Sequence, residues 1–156
     1  MKRILLLTLF LAPACWSFAQ GYIDLSKSQS KKALVKYQVT NKKVHTTLRE
    51  TDSSLSLLIR DSALRTLDVE FHFNRSHRCD REKRTSSCDS CFQKYLRETL
   101  ARQKFEWTRL SDSVYLSPYP KKLMMQTMSG NGYYTYLITK MNWKQKDYDA
   151  LLRTSR

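Results

Sequence analysis

The sequence has few of the residues from which flexible linkers and phosphate-binding loops are built. Only 3 glycines and 3 prolines occur in 156 residues. A long flexible linker depends on such residues, so we expect the chain to fold without one. Glycine-rich loops also form the backbone cradles that bind phosphate, and G-x-S-x-G and H-E-x-x-H motifs are absent as well. The sequence therefore favours a non-enzymatic protein with no cofactor.

Acidic residues are also scarce. The chain has 14 Asp and Glu against 28 Lys and Arg, a net charge of +14 at pH 7. A strongly basic surface favours acidic partners. The alternative is that the lysines are dispersed over solvated faces and serve only solubility.

Long apolar runs are confined to the first twenty residues, "MKRILLLTLFLAPACWSFAQ". Two positive charges precede an apolar stretch, and Ser17-Phe18-Ala19 supplies the small residues that a signal peptidase requires. We predict a cleavable signal peptide over residues 1–19, and export to the periplasm or the outside of the cell. In the alternative, "LAPAC" acts as a bacterial lipobox and Cys15 carries the lipid anchor.

Export narrows the choice of partner. Cleavage removes two basic residues and no acidic ones, which leaves 26 basic and 14 acidic residues and a net charge of +12. Intracellular nucleic acid is then not an expected target. We expect an acidic protein or an anionic polymer of the cell envelope instead, and no transmembrane segment in the mature chain.

Hydrophobic periodicity predicts one α+β domain over residues 31–156, preceded by a flexible lead-in at 20–30. The run 66–74 alternates apolar and polar residues, as a strand with one face in water does. Asn131-Gly132, between two β-rich runs, predicts a type I′ hairpin. The predicted order is α-βββ-α-ββββ-α, a two-layer sandwich with a mostly antiparallel sheet and helices on one face. The elements are helices at 28–39, 91–103 and 142–153 and strands at 43–50, 54–60, 66–74, 104–110, 113–117, 122–128 and 133–139.

Three cysteines lie in the predicted mature chain, and their spacing leaves three interpretations open. In an exported protein a structural disulfide is favoured. A bridge from Cys79 to Cys88 or Cys91 would tie the strand to the next helix across a charged loop. Cys79–Cys91 is the preferred pair, because Cys91 shares the core-facing side of the predicted helix with Tyr95. Cys88 would then remain a buried thiol or the seed of a disulfide-linked homodimer.

The other two interpretations make the cysteines functional. A thiol redox centre would use Cys88-Asp89-Ser90-Cys91 at a helix start, where the helix dipole favours the thiolate. A zinc site would combine the three cysteines with His77, but a single C-x2-C pair is weak support for metal. These two chemistries form the alternative to a binding domain.

Two further groups of residues are candidates for a site. Glu70 and His72 fall on one face of a predicted strand, and His45 on a nearby strand could join them in a polar cluster. The same pattern is also typical of a strand face that is simply exposed to solvent. The C-terminal hairpin region is rich in tyrosine, a residue that interfaces favour. These candidate contact residues are Tyr115, Tyr119, Tyr133, Tyr134 and Tyr136.

Overall fold

The computed structural model describes residues 21–102 and 104–154. The predicted signal peptide and Cys15 lie outside these residues. Eleven helices and strands follow one another along the chain. In order they are α1 (Lys27–Thr40), β1 (His45–Glu50), β2 (Ser54–Arg60), β3 (Thr66–Phe73), β4 (Cys79–Ser86), α2 (Asp89–Leu100), β5 (Thr108–Ser111), β6 (Val114–Leu116), β7 (Leu123–Gly130), β8 (Tyr133–Lys140) and α3 (Gln145–Thr154).

All eight strands form one antiparallel sheet with the order β1-β2-β3-β4-β8-β7-β6-β5. Each half of the sheet is a four-stranded meander, and the halves meet where β4 pairs with β8. A helix precedes each meander: α1 packs on β1 and β2, whereas α2 packs on β4 and β8. The arrangement of a helix followed by four strands thus occurs twice, with the last strand of each unit at the junction.

The predicted α+β class and antiparallel sheet are confirmed, but the predicted order of strands does not include β4. Its sequence, "CDREKRTS", looks like a charged loop. Burial nevertheless alternates along the strand, because Glu82, Arg84 and Ser86 are the residues that point into the core. A pattern of apolar and polar residues cannot show a strand whose buried side chains are themselves polar.

The chain segment before α1 belongs to the domain. The Tyr22 side chain is buried, and its ring lies 4.3 Å from that of Phe71 on β3. Asp24 and Leu25 exchange backbone hydrogen bonds of 2.8 and 2.9 Å with Cys79. The prediction of a lead-in at 20–30 is therefore wrong for residues 21–30.

Helix α1 begins earlier than predicted because of a capping box. The Ser26 hydroxyl accepts from the Gln29 N–H, and the Gln29 side chain accepts from the Ser26 N–H. This reciprocal pair satisfies two donors that a helix start leaves open. On its inner side, Leu34 is completely buried against the sheet.

The core consists of two hydrophobic clusters that lie under the two helices. One is centred on β2 and β3, and the other on β7, β8 and α2. Ile23 and Tyr95 pack against both clusters. The segment at residues 21–25 and helix α2 therefore close the core over the junction between the two meanders.

The predicted hairpin is present between β7 and β8. Asn131 and Gly132 have φ angles of 53° and 76°, the positive values that a type I′ turn requires. The last helix, α3, is anchored by Tyr148, whose ring packs against those of Tyr119 and Trp143. Within the described part of the chain, no helix has the length and apolar character needed to cross a membrane.

Candidate functional site

Cys88 and Cys91 form a disulfide, with their Cα atoms 5.3 Å apart. The predicted Cys79–Cys91 pair is therefore wrong. Cys79 begins β4, whereas Cys88 and Cys91 follow the end of that strand. An eight-residue strand spans roughly 24 Å, which no disulfide can bridge.

The same separation rules out the predicted zinc cluster. Cys79 cannot join the other two cysteines around one ion, and the disulfide occupies both of their sulfurs. Among residues 21–102 and 104–154, no group of three or more His, Cys, Asp or Glu side chains is arranged to hold a metal.

The disulfide lies at the amino-terminal end of α2, and both cysteines are partly exposed. Cys88 is the N-cap residue, and its Sγ accepts from the backbone N–H of Cys91 at 3.2 Å. The Ser90 hydroxyl lies 3.4 Å from the same sulfur. The side chain of Cys88 thus occupies the position at which Ser or Asp usually caps a helix.

Cys79 is the remaining thiol among residues 21–102 and 104–154, and it is completely buried. Burial raises the pKa of this thiol to about 12, and the nearby Glu82 carboxylate adds to the effect. A thiol that stays protonated is a poor nucleophile. A homodimer linked through Cys88 would need a free thiol at that residue, but Cys88 is bonded to Cys91.

The polar cluster is present only in part. His72 Nε2 lies 2.9 Å from Glu70 Oε1, and Lys83 Nζ lies 3.8 Å from Glu70 Oε2. His45 is remote, because it pairs with Arg60 at one end of β2 whereas His72 pairs with Ser54 at the other. Six residues of strand, roughly 20 Å, separate the two ends.

The Glu70–His72 pair lies on the sheet face opposite the core. Val69 and Phe71, which alternate with these residues along β3, are completely buried beneath the helices. Glu70 and His72 keep about a third of their side-chain surface exposed, 31% and 35%. Such an exposed pair does not enclose a substrate, so the structure gives no support to a functional site at the predicted polar cluster.

The candidate tyrosines are mostly used in packing. Tyr136 is completely buried, and its hydroxyl lies 3.1 Å from that of Thr99 on α2. Tyr134 packs against Phe92, with their ring centroids 5.8 Å apart. Tyr115 packs on the core beside β7, and Tyr119 contacts Tyr148. Only Tyr133 of the five is exposed, at 51%, so the tyrosines do not form one contact surface.

A buried ion pair at the centre of the sheet is the feature that sequence analysis missed. Glu82 and Arg84 both lie on the inner face of β4, because they are two residues apart. Arg84 donates from Nε and Nη2 to Glu82 Oε1, at 3.0 and 2.8 Å. Their side chains are 0% and 3% exposed.

Neighbouring groups complete this pair. The backbone N–H of Tyr22 donates to Glu82 Oε2 at 3.2 Å. The guanidinium of Arg84 lies over the ring of Tyr136, with 5.7 Å between Cζ and the centroid. Burial by itself lowers the pKa of Arg84, but attraction to Tyr136 and Glu82 outweighs it and the pKa is raised. This enclosed cluster lies at the junction of the two meanders, where β4 pairs with β8.

The outer side of α1 carries an exposed surface of mixed character. Val35 and Val39 are 42% and 66% exposed, and they alternate with the exposed residues Lys32 and Lys36. Spacings of three and four residues place these four side chains on one stripe of the helix. We call this stripe the α1 surface.

The charge around the α1 surface has one sign. From Leu25 through Arg49 the chain contains seven Lys and Arg residues and no Asp or Glu. Glu50 reaches back to bind Lys27 and Lys31, at 3.1 and 2.6 Å. These two ion pairs join the first turns of α1 to the end of β1.

Comparison with family models, with curated proteins and with solved structures finds no match for this chain.

Proposed function

We propose that this chain is an exported binding domain whose α1 surface docks on an acidic protein of the cell envelope. The single observation that carries the proposal is the exposure of Val35 and Val39 inside a basic segment that contains no acidic residue. The signal peptide predicted at residues 1–19 supports export.

The α1 surface has the composition of a small interface. Protein interfaces have an apolar centre and a polar, solvated rim. Here the two valines would supply the apolar centre and the lysines the rim. A polysaccharide would use only the charges, whereas an acidic protein can also bury the valine side chains. This difference favours the protein partner over the anionic polymer.

The rest of the domain holds α1 rigidly in place for such docking. Leu34 is completely buried on the inner side of the helix, and Tyr37 packs against the same core cluster. The Ser26–Gln29 capping box fixes the amino-terminal end. A preorganised surface loses less conformational entropy on binding than a mobile one.

Site-specific photo-crosslinking in the cells that make the protein tests this proposal. A photoreactive residue replaces Val39 in the α1 surface or, as the control, the exposed Lys146 in α3. We expect position 39 to capture one acidic protein that position 146 does not. Capture of a lipid or a polysaccharide at position 39, or equal products from both positions, would contradict the proposal.

Charge reversal then tests the chemistry with the captured protein. Lys32→Glu combined with Lys36→Glu should weaken binding about tenfold or more, mainly through slower association, because opposite charges steer the encounter. Lys144→Glu combined with Lys146→Glu makes the same change of net charge near the other end of the chain and should have little effect on binding. Binding that does not weaken with added salt would exclude an electrostatic surface.

A further inference from the structure

We propose that the Cys88–Cys91 disulfide is a thiol–disulfide exchange site that oxidises dithiols of other proteins. This activity is separate from docking at α1. The site consists of the two cysteines, the first turn of α2 and Ser90. Three features of its geometry support exchange rather than a structural staple.

The first feature is how little the bond holds together. Cys88 and Cys91 are three residues apart, so the disulfide closes one helical turn and joins no distant elements. Stabilisation by a disulfide grows with the length of the loop that it closes. Helix α2 is held on the sheet by other groups, the buried side chains Phe92 and Thr99. The domain can therefore keep its fold when the bond is reduced.

The second feature is the stabilisation available to a thiolate at Cys88. The Cys91 N–H already donates to Cys88 Sγ, and the Ser90 hydroxyl lies within reach of the same sulfur. The amino-terminal end of α2 carries a partial positive charge that favours an anion at this position. Asp89, the acidic residue of the first turn, opposes this effect, but its carboxylate accepts a hydrogen bond from Gln93 at 3.3 Å.

The third feature is the location of the remaining thiol. Cys79 lies at the opposite end of β4 and is completely buried. It cannot attack the Cys88–Cys91 bond and trap it in another pairing. The two partly exposed cysteines can therefore cycle between one disulfide and two thiols without competition inside the described chain.

The exchange proceeds in two balanced steps. A thiolate of the partner attacks Cys88 Sγ, the bond between Cys88 and Cys91 breaks, and Cys91 leaves as a thiolate that takes up a proton. The second thiolate of the partner then attacks the partner's sulfur in the mixed disulfide. A disulfide forms within the partner, and Cys88 is released as a thiolate that takes up a proton. The partner loses two electrons and two protons, and Cys88 and Cys91 gain them.

Reduction of the wild-type protein by dithiothreitol is the first test. After reduction and alkylation, the mass should show two modified cysteines in a protein whose circular dichroism is unchanged. Cys79→Ser should behave in the same way, because Cys79 takes no part. Reduction that needs denaturant, or that unfolds the domain, would show a structural staple and overturn the proposal.

Two single variants then separate the roles of the cysteines. Cys91→Ser leaves the Cys88 thiol alone, and Cys88→Ser leaves the Cys91 thiol alone; serine at position 88 still caps the helix. At pH 6, we expect the thiol of Cys91→Ser to react with dithionitrobenzoate at least tenfold faster than that of Cys88→Ser. Equal rates, or the reverse order, would overturn the assignment of Cys88.

Transfer to a dithiol probe completes the test. A synthetic peptide with two cysteines and a fluorophore pair reports its own oxidation. One equivalent of wild-type protein should oxidise one equivalent of peptide, and Cys91→Ser should instead oxidise none of it. If wild-type protein does not oxidise the peptide faster than oxidised glutathione does at equal concentration, exchange at this site is excluded.

Discussion

The backbone N–H of Tyr22 donates to Oε2 of Glu82 at 3.2 Å, although the two residues are 60 positions apart. Oε1 of the same carboxylate accepts from Arg84. The two oxygens of one side chain thus join the segment before α1 to the strand at which both meanders meet. Because the carboxylate is completely buried, these hydrogen bonds are not exchanged for bonds to water.

This arrangement predicts that removing the charge of Arg84 alone lowers the stability of the fold much more than removing the charges of Arg84 and Glu82 together. Arg84→Met leaves the Glu82 carboxylate buried without its partner, and the free energy of unfolding should fall by about 3–5 kcal/mol. Glu82→Leu combined with Arg84→Met removes the pair and leaves the Tyr22 N–H without its acceptor, a loss of about 1–3 kcal/mol. Chemical denaturation of the three proteins measures both differences.

The neighbouring strand residue Arg81 provides the control for this series. It is exposed, so Arg81→Met should change the free energy of unfolding by about 0.5 kcal/mol or less. If the double variant is less stable than Arg84→Met alone, the ion pair is not what holds the centre of the sheet together.

The packing around Gly21 predicts that a side chain at this position destabilises the fold, because there is no room for one. A Cβ atom at this position would lie 2.5 Å from Cζ of Phe105, whereas a Cβ at Gly130 would have no atom within 4 Å. Gly21→Ala should therefore destabilise the domain by about 1–3 kcal/mol through overpacking. Gly130→Ala, in strand β7, should be close to neutral. Thermal melts of the two variants compare the sites, and equal melting temperatures would argue against the packing of residues 21–25 on the core.

Tyr22 predicts a loss of stability at alkaline pH. Burial raises the pKa of its hydroxyl from 10 to about 12. Below pH 10 the hydroxyl is neutral in both states; above it, the unfolded chain releases the proton while the folded chain retains it. Stability is thus lost as pH rises from 10 to 12, by about 1.4 kcal/mol at pH 11. Tyr22→Phe should lack this component when urea unfolding is compared at pH 8 and pH 11, and an identical loss in both proteins would refute the assignment.

The parts of the fold that could be predicted are those in which polarity follows burial. Strand β3 alternates apolar and polar residues, and Asn131-Gly132 has the backbone freedom that its turn needs. Strand β4 could not be found in this way, because Glu82 and Arg84 compensate each other's charge in the core. Their partnership depends on Tyr22 and Tyr136, which only the folded chain brings to them.

The error about the cysteines followed from the same strand. With residues 79–86 taken as a loop, Cys79 and Cys91 are plausible neighbours; with those residues extended, they lie at opposite ends of β4. The C-x2-C pair at a helix start is visible in the sequence, but its spacing alone does not distinguish a disulfide within the pair from one to Cys79. The exposed valines of α1 were also visible, but only the position of the sheet shows which side of the helix faces water.

Cys79 gives a last prediction, which follows from its burial in the folded chain. With its pKa raised to about 12, the thiol should resist alkylation by iodoacetamide at pH 8 in native protein, while denatured protein should take up one adduct without reductant. Intact mass of the protein without residues 1–19, and so without Cys15, measures both states. Cys79→Ser should take up no adduct in either state, since Cys88 and Cys91 are bonded. Rapid modification of native protein at Cys79 would mean that the segment at residues 24–25, which pairs with this cysteine in the structure, opens readily and exposes it.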